Sequence, residues 1–220
     1  MNLAEAYRPQ TWPELAGLDS LKRRVAFVRV KHGTLGGRCW IINGPAGTGK
    51  TTSGLLIAGE LASPEFIEEL DAGRLTPAKI ADFERASYLT AWGLGGRAFI
   101  VNELDGLPLA EIRQLLVTLE RAGQGGLPRH VVWIFTTSDT PAKFKARSDK
   151  HAALWSRCTA LSTAEGPGPS FAARLLGIAM AEDLPVGTLA EVQALLKSCG
   201  GNIRAAMSEI EAGYFAEVAA

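Results

Sequence analysis

Short apolar runs alternate with amphipathic stretches along most of the chain. Continuously apolar runs are typical of parallel strands that are covered on both faces of a sheet. Three such runs are candidates for strands, at 40–42, 98–101 and 131–135, and the mixed segment at 66–71 could be another strand. Between them, apolar residues recur at helical spacing and predict helices at 52–61, 76–90 and 109–121. This alternation predicts an α/β fold with a parallel sheet.

The last part of the chain has a different pattern, with helices and no candidate strand. A loop rich in glycine and proline at 166–169 is typical of a domain boundary. Ser170, Thr188 and Asn202 each precede an apolar helical pattern and can cap a helix there. We therefore predict an α/β domain at 1–162 and a small helical lid at 163–220.

The strongest chemical signal lies between the first strand and the helix that follows it. Here the chain matches the phosphate-binding pattern G-x-x-x-x-G-K-[ST] at every fixed position, over Gly44, Pro45, Ala46, Gly47, Thr48, Gly49, Lys50 and Thr51. Backbone N–H groups of such a loop surround a polyphosphate, and the helix N-terminus adds partial positive charge. Lys50 would contact the β- and γ-phosphates, and the Thr51 hydroxyl would bind Mg²⁺. A chance match among 24 glycines is the alternative, which the flanking strand and helix disfavour.

Polar residues follow the candidate strand at 98–101. The carboxyl end of a buried parallel strand lies where the ligand crevice of an α/β sheet opens. Glu103 is placed to orient or deprotonate an attacking water, and the preceding position normally carries the Mg²⁺ carboxylate but is Asn102 here. A strand that simply ends in a polar turn is the alternative. After the fourth strand, a hydroxyl within 136–139 could contact the γ-phosphate.

Charge is balanced over the whole chain, so a contact with nucleic acid would need a local patch. The 23 Lys and Arg residues equal the 23 Asp and Glu residues in number. A helix at 21–31 carries Arg23 and Arg24, for which a solvated face is the favoured interpretation over a nucleic-acid contact. The loop at 139–154 is the better candidate for DNA binding. Its basic residues include Lys143, Lys145 and Arg147.

The remaining composition narrows the class of protein. Three cysteines lie far apart, and this odd number argues against a disulfide framework and against a zinc site. No stretch approaches the ~20 apolar residues that a membrane span needs, and the N-terminal segment has no signal-peptide core. We expect a cytoplasmic protein without a membrane contact.

Several motifs, in their order along the chain, resemble those of the clamp-loader ATPases of the AAA+ superfamily. That family comprises the motor subunits of bacterial clamp loaders and the replication factor C subunits. The resemblance covers nearly the whole chain and rests on the phosphate loop together with Tyr7-Arg8-Pro9, 69–72, 102–105, 115–120, 136–139, Ser156-Arg157-Cys158 and 200–204. The Ser-Arg-Cys triplet is the most specific motif, because it resembles the clamp-loader arginine finger, which AAA+ proteins in general do not share.

The resemblance implies that ATP and Mg²⁺ bind at subunit interfaces, and it implies roles for individual residues. Ser138 would be the sensor 1 residue, with Thr137 as the second candidate. Arg157 would reach the ATP of a neighbouring subunit, and Arg204 would be the sensor 2 arginine of the lid. A guanidinium suits both roles because the phosphoryl-transfer transition state gains from positive charge near its equatorial oxygens. The further residues implied to bind the cofactor are Tyr7, Arg8, Pro9 and Thr52.

Two departures from the family change what is expected. Asn102 replaces an aspartate, which removes negative charge near the metal and predicts weakened hydrolysis more than weakened nucleotide binding. The sequence ends at Ala220, so the collar domain that joins family pentamers is expected to be absent. Homo- or hetero-oligomers would then form through the AAA+ faces alone, or a partner would supply the collar.

The partners that the resemblance implies are DNA and a sliding clamp or another replication protein. Two other functions stay open. One is a nucleotide-binding, weakly hydrolysing structural subunit of a larger assembly. The other is a monomeric P-loop kinase or small-molecule NTPase.

Overall fold

The computed structural model describes residues 3–89, 91–121, 127–164 and 168–218. It confirms the predicted α/β fold, because five parallel strands form a sheet in the order β2-β3-β4-β1-β5. The strands are β1 (Arg38–Asn43), β2 (Ile67–Asp71), β3 (Arg97–Asn102), β4 (Val131–Thr137) and β5 (Cys158–Ser162). The first four lie where the sequence predicts strands.

The fifth strand, β5, has no counterpart among the predicted strands. It pairs with β1 at the edge of the sheet, with Cys158 opposite Cys39 and Leu161 opposite Ile42. Leu161 is the only buried residue of the strand. Because so short and so exposed a strand has no continuous apolar run, hydrophobic periodicity does not reveal it.

The helices of the described residues alternate with these strands and then follow one another. They are α1 (Leu3–Ala6), α2 (Asp19–His32), α3 (Lys50–Gly59), α4 (Pro77–Ala86), α5 (Leu109–Arg121), α6 (Pro141–Ala146), α7 (Asp149–Arg157), α8 (Pro169–Ala181), α9 (Leu189–Ser198), α10 (Ile203–Glu211) and α11 (Tyr214–Val218). The prediction for α5 is confirmed. Helix α4 ends at Ala86, short of the predicted end at Thr90, which lies outside the described residues.

The prediction of a loop at 139–154 is wrong, because this basic segment folds into α6 and α7. The Thr140 hydroxyl accepts a hydrogen bond from the backbone N–H of Lys143, and the Ser148 hydroxyl accepts one from that of His151. Such N-caps satisfy backbone donors that a helix start would otherwise leave unpaired. Pro141, at the first turn of α6, adds a backbone angle that suits a helix start.

Helices cover both faces of the sheet, which accounts for the apolar runs. Successive side chains of β1 point to opposite faces, so Trp40 and Ile42 pack on one side, and Cys39 and Ile41 pack on the other. Buried residues of α2, α3 and the C-terminal helices cover the first side, and those of α4, α5, α6 and α7 cover the second. The carboxyl edge of the strands is left open for a site.

The C-terminal helices begin at caps that were partly predictable. Thr188 forms a capping box with Glu191 at α9, and Asn202 Oδ1 accepts the Ala205 N–H at 3.1 Å at the start of α10. The predicted cap at Ser170 is wrong, because α8 begins at Pro169, whose fixed φ suits the first helical position. The predicted linker residues 165–167 lie outside the described residues, and the division into 1–162 and 163–220 stays a prediction.

Among the described residues, no helix combines the length and the apolar character that a bilayer crossing requires.

Candidate functional site

The phosphate loop connects β1 to α3 and opens onto a cavity of about 370 Å³. Gly47 has φ 69° and Gly49 has φ 93°, left-handed values that glycine adopts without the steric penalty of a side chain. The cavity is lined by the predicted cofactor residues Ala46, Gly47, Thr48, Gly49, Lys50, Thr51 and Thr52. Gly44 and Pro45 do not line it, and their backbone carbonyls contact the Lys50 ammonium instead. The loop therefore has the shape of a phosphate cradle.

Lys50 is placed at the centre of this cradle. Its Nζ donates to the carbonyl oxygens of Gly44 and Pro45, each at 2.8 Å, and lies 3.4 Å from Ser138 Oγ. Burial lowers the pKa of the Lys50 ammonium, while the nearby carboxylates of Asp105 and Glu103 act to raise that pKa. Neutral acceptors thus hold a partly desolvated cation that a phosphate would pair with more strongly.

The two predicted metal residues are in contact. Thr51 Oγ1 donates to Asn102 Oδ1 at 3.0 Å, and the Thr136 hydroxyl donates to the same amide oxygen, also at 3.0 Å. Hydroxyl and amide oxygens are hard donors of the kind that Mg²⁺ prefers. No group of three or more His, Cys, Asp or Glu side chains in the described ranges could hold a metal ion. These residues therefore fit Mg²⁺ that is bound chiefly by nucleotide phosphates.

Glu103 follows Asn102 at the end of β3 and lines the same cavity. Its φ of 56° is left-handed, a conformation that costs energy for a residue with a side chain. The Glu103 N–H donates to Thr136 Oγ1 at 3.3 Å, which ties this unusual backbone to the end of β4. The strand end thus directs a carboxylate to the cavity, as the sequence predicts for the residue that orients water.

Of the two candidates for sensor 1, which both line the cavity, Ser138 is the one whose hydroxyl lies beside Lys50. Thr137 is fully buried, and its hydroxyl donates to Asp105 Oδ1 at 2.8 Å. The Ser138 backbone N–H donates to the same carboxylate oxygen at 3.1 Å, while its side chain approaches Lys50. Asp105 therefore fixes the end of β4 so that the Ser138 hydroxyl faces the phosphate loop.

Helix α10 reaches the cavity and contacts the phosphate loop directly. The Ile203 N–H donates to the Gly47 carbonyl at 3.1 Å, and a Cβ added to Gly47 would lie 1.7 Å from Asn202 Oδ1. Arg204, on the first turn of α10, lines the cavity and lies close enough to Lys50 to lower its pKa. The predicted sensor 2 residue is therefore beside the phosphate cradle.

The N-terminal segment closes another side of the cavity, which Tyr7, Arg8 and Pro9 all line. The Tyr7 hydroxyl donates to Glu182 Oε1 at 2.6 Å, and this hydrogen bond to a carboxylate raises the pKa of Tyr7. Arg174 of α8 also lines the cavity, and its buried Nε has no hydrogen-bond partner among the described residues. No motif or spacing marks Arg174 in the sequence, and its role is visible only once α8 is packed against the site.

Arg157 lies outside this cavity, at the C-terminal end of α7. Its guanidinium donates to the Ala153 carbonyl at 2.9 Å and forms an ion pair with Glu120. The side chain is about one-third exposed, at 36%. The adjacent Cys158 is not activated, because a hydrogen bond with the Cys39 thiol and burial raise its pKa well above the ordinary value. Arg157 is thus a partly exposed arginine, paired with Glu120, that lies outside the cavity of its own chain.

The predicted DNA-binding residues divide into two groups. Lys143 Nζ and Arg147 Nε contact the buried carboxylate of Asp139, at 2.6 and 2.5 Å. Burial alone would raise the pKa of Asp139, but these two hydrogen bonds outweigh it and lower that pKa. Lys145 is exposed and lies over the Trp155 ring. Arg23 and Arg24 are exposed on α2. Lys143 and Arg147 therefore have a structural role whether or not they contact DNA.

Comparisons with known proteins support the fold. No protein-family model matches the chain, and no curated protein matches it in sequence. The RuvB Holliday junction branch migration motor of Thermotoga maritima superposes with a TM-score of 0.71 at 19% identity, over 93% of this chain and 64% of that chain. A mutant of the same RuvB gives 0.71 at 18% identity, over 94% and 65%. The chain thus spans about 64–65% of the length of these structures and shares their fold over that part.

Proposed function

We propose that this protein is an AAA+ ATPase subunit that binds Mg·ATP in the cavity between the sheet edge and α10, and that its nucleotide state controls the handling of DNA. The observation that carries the proposal is the convergence of Lys50, Ser138 and Arg204 on one phosphate cradle. Arg157 lies outside that cradle, where it can serve a neighbouring subunit. Residues from four separate parts of the chain would thus supply complementary roles for one reaction.

Each residue acts on a different part of the reaction. The loop amides and Lys50 hold the β- and γ-phosphates, and Thr51 and Asn102 would hold Mg²⁺, which neutralises phosphate charge when it is bound. Glu103 orients the attacking water. Ser138 donates a hydrogen bond to the γ-phosphate, and Arg204 stabilises the charge that develops on the equatorial oxygens. Tyr7, Arg8 and Pro9 bound another side of the cavity and would contact the nucleotide there.

DNA is the substrate class that two independent considerations support. The motifs resemble clamp loaders, which act in DNA replication, and the structural neighbour RuvB is a Holliday junction branch migration motor. The more specific part of the proposal is that a sliding clamp is the partner, and only the motifs support it. A weakly hydrolysing subunit is a second candidate, favoured by the amide of Asn102 where a carboxylate is expected.

The nucleotide dependence of assembly tests this proposal. We expect the wild-type protein to elute as a larger species in size-exclusion chromatography with Mg·ATPγS than without nucleotide, and to hydrolyse ATP in a steady-state assay. The variant Glu103→Gln should assemble in the same way while hydrolysing poorly. A protein that stays monomeric in every nucleotide state and phosphorylates a small molecule would be a P-loop kinase, and the proposal would fail.

The exposed basic residues of α6 and α7 are expected to contact DNA phosphates. Replacing Lys145 and Lys150 together with alanine should weaken DNA binding and reduce the slope of log affinity against log salt by about one unit for each lost contact. This pair avoids Lys143 and Arg147, whose removal would leave the buried Asp139 carboxylate unpaired. Fluorescence anisotropy with single-stranded, duplex and four-way-junction DNA over a salt series measures the effect.

The matched control for this experiment is the double variant Arg23→Ala/Arg24→Ala, which removes two exposed cations from α2. If the salt slope changes only in this control, the DNA contact lies on α2 and the assignment to α6 and α7 is wrong.

A further inference from the structure

The amide of Asn102 is held in one orientation by three hydrogen bonds. Its Oδ1 accepts from the hydroxyls of Thr51 and Thr136, and its Nδ2 donates to Glu69 Oε1 at 2.6 Å. A carboxylate is acceptor-only, so the group that faces Glu69 must be the amide nitrogen. Glu69 therefore turns the amide oxygen, which is the possible metal ligand, towards Thr51.

Glu69 reaches this position from the neighbouring strand. β2 pairs in parallel with β3, and the register places Glu69 beside Ile100 and Asp71 beside Asn102. Glu69 and Asp71 are two residues apart and so share one face of β2, and both line the cavity. Glu68 points to the other face, where its carboxylate pairs with Lys79 at 2.8 Å. Only one side of β2 thus brings carboxylates to the strand end that carries Asn102.

We propose that Glu69 is the charged positioning residue of the Mg²⁺ site, and that it supplies from β2 the negative charge that an aspartate at position 102 would carry on β3. Mg²⁺ keeps several water ligands in proteins, so a carboxylate beyond the directly bound oxygens still acts on it through water and through charge. The neutral amide of Asn102 then serves as an oxygen ligand without leaving the site uncharged. This inference rests on the proposed Mg·ATP site.

The experiment measures Mg²⁺ affinity rather than turnover. Binding of a fluorescent ATP analogue is recorded in EDTA and then at rising Mg²⁺ concentration. The Mg²⁺ concentration that gives half of the increase in binding, called the midpoint below, is compared between variants. In Glu69→Gln the side-chain oxygen can still accept from Asn102, but the charge is gone. We expect its midpoint to rise about tenfold or more, which is the effect usual for removal of a group that supports a metal ligand. Binding in EDTA should be unchanged.

Two further variants separate charge from packing. Glu68→Gln makes the same chemical change on the opposite face of β2 and should leave the midpoint unchanged. In Glu69→Gln/Asn102→Asp the new glutamine can donate to the new carboxylate, so the charge returns at position 102 and the midpoint should return towards the wild-type value.

Three results would overturn the role of Glu69. They are an unchanged midpoint in Glu69→Gln, a midpoint that the double variant does not recover, and a loss confined to Asp71→Asn. The proposed function fails differently, because the wild-type protein would then bind no nucleotide at any Mg²⁺ concentration. Circular dichroism and thermal melting confirm that each variant is folded before its midpoint is read.

Discussion

Replacing Arg157 with alanine is expected to leave ATP binding intact and to lower ATP hydrolysis about 10³-fold or more, which is the effect typical of a lost arginine finger. The reason is positional, because Arg157 lies outside the cavity of its own chain, and we propose that it acts on the γ-phosphate of a neighbouring subunit. Glu103→Gln should be equally inactive, since Glu103 acts within its own cavity. A one-to-one mixture of the two variants creates interfaces with an intact Glu103 on one side and an intact Arg157 on the other, and it should recover part of the wild-type rate.

The measurement is a steady-state ATPase assay of each variant alone and of the mixture. Arg85→Ala is a matched control, because Arg85 is likewise a helix arginine paired with a nearby carboxylate, here that of Asp82, and lies on α4 away from the cavity. It should hydrolyse ATP like the wild type. If sizing shows mixed oligomers and the mixture is still inactive, Arg157 does not act in trans.

Replacing Lys50 with alanine is expected to remove nucleotide binding. Each charged hydrogen bond that a phosphate loses weakens binding by about 1.5–3 kcal/mol, and two phosphates would lose their shared cation. Because Lys50 Nζ lies 3.4 Å from Ser138 Oγ, its loss also removes one contact between the loop and the residue that follows β4. Titration of a fluorescent ATP analogue in the presence of Mg²⁺ measures the change in dissociation constant.

The control for this titration is Lys197→Ala, which removes an exposed lysine from α9 outside the residues that line the cavity. Its affinity should equal that of the wild type. An unchanged affinity in Lys50→Ala would show that the loop at 44–51 does not bind the phosphates, in spite of its pattern.

Continuous apolar runs predicted β1, β3 and β4, because nearly every residue of these strands is buried. The edge strand β2 has no buried residue, and its segment, which mixes apolar and acidic residues, was predicted without such a run. β5 has no such run either, since only Leu161 is buried at the edge of the sheet. Helices α6 and α7 were missed for a related reason, because they have six and nine residues and are fixed by the caps Thr140 and Ser148 more than by a long apolar stripe. Short elements depend on local hydrogen bonds that a periodicity analysis does not weigh.

Most of the candidate site could be located from sequence, because the phosphate loop is continuous in the chain. The contacts that join separate elements could not. The hydrogen bond between Glu69 and Asn102 depends on the register of β2 against β3, and the pairing of Lys143 and Arg147 with Asp139 depends on the turn between β4 and α6. Arg174 reaches the cavity only through the packing of α8. The spacing of residues in the sequence carries no information on distances between elements that are far apart along the chain.

Gly47 occupies a position at which the phosphate-binding pattern allows any residue, yet here the choice is restricted by α10. Asn202 fills the space in which a side chain would lie, and the Ile203 N–H is bonded to the Gly47 carbonyl. The loop and the first turn of α10 are therefore in direct contact and joined by a hydrogen bond. If Mg·ATP binds as proposed, we expect that a shift of the loop when the γ-phosphate leaves moves the first turn of α10 with it.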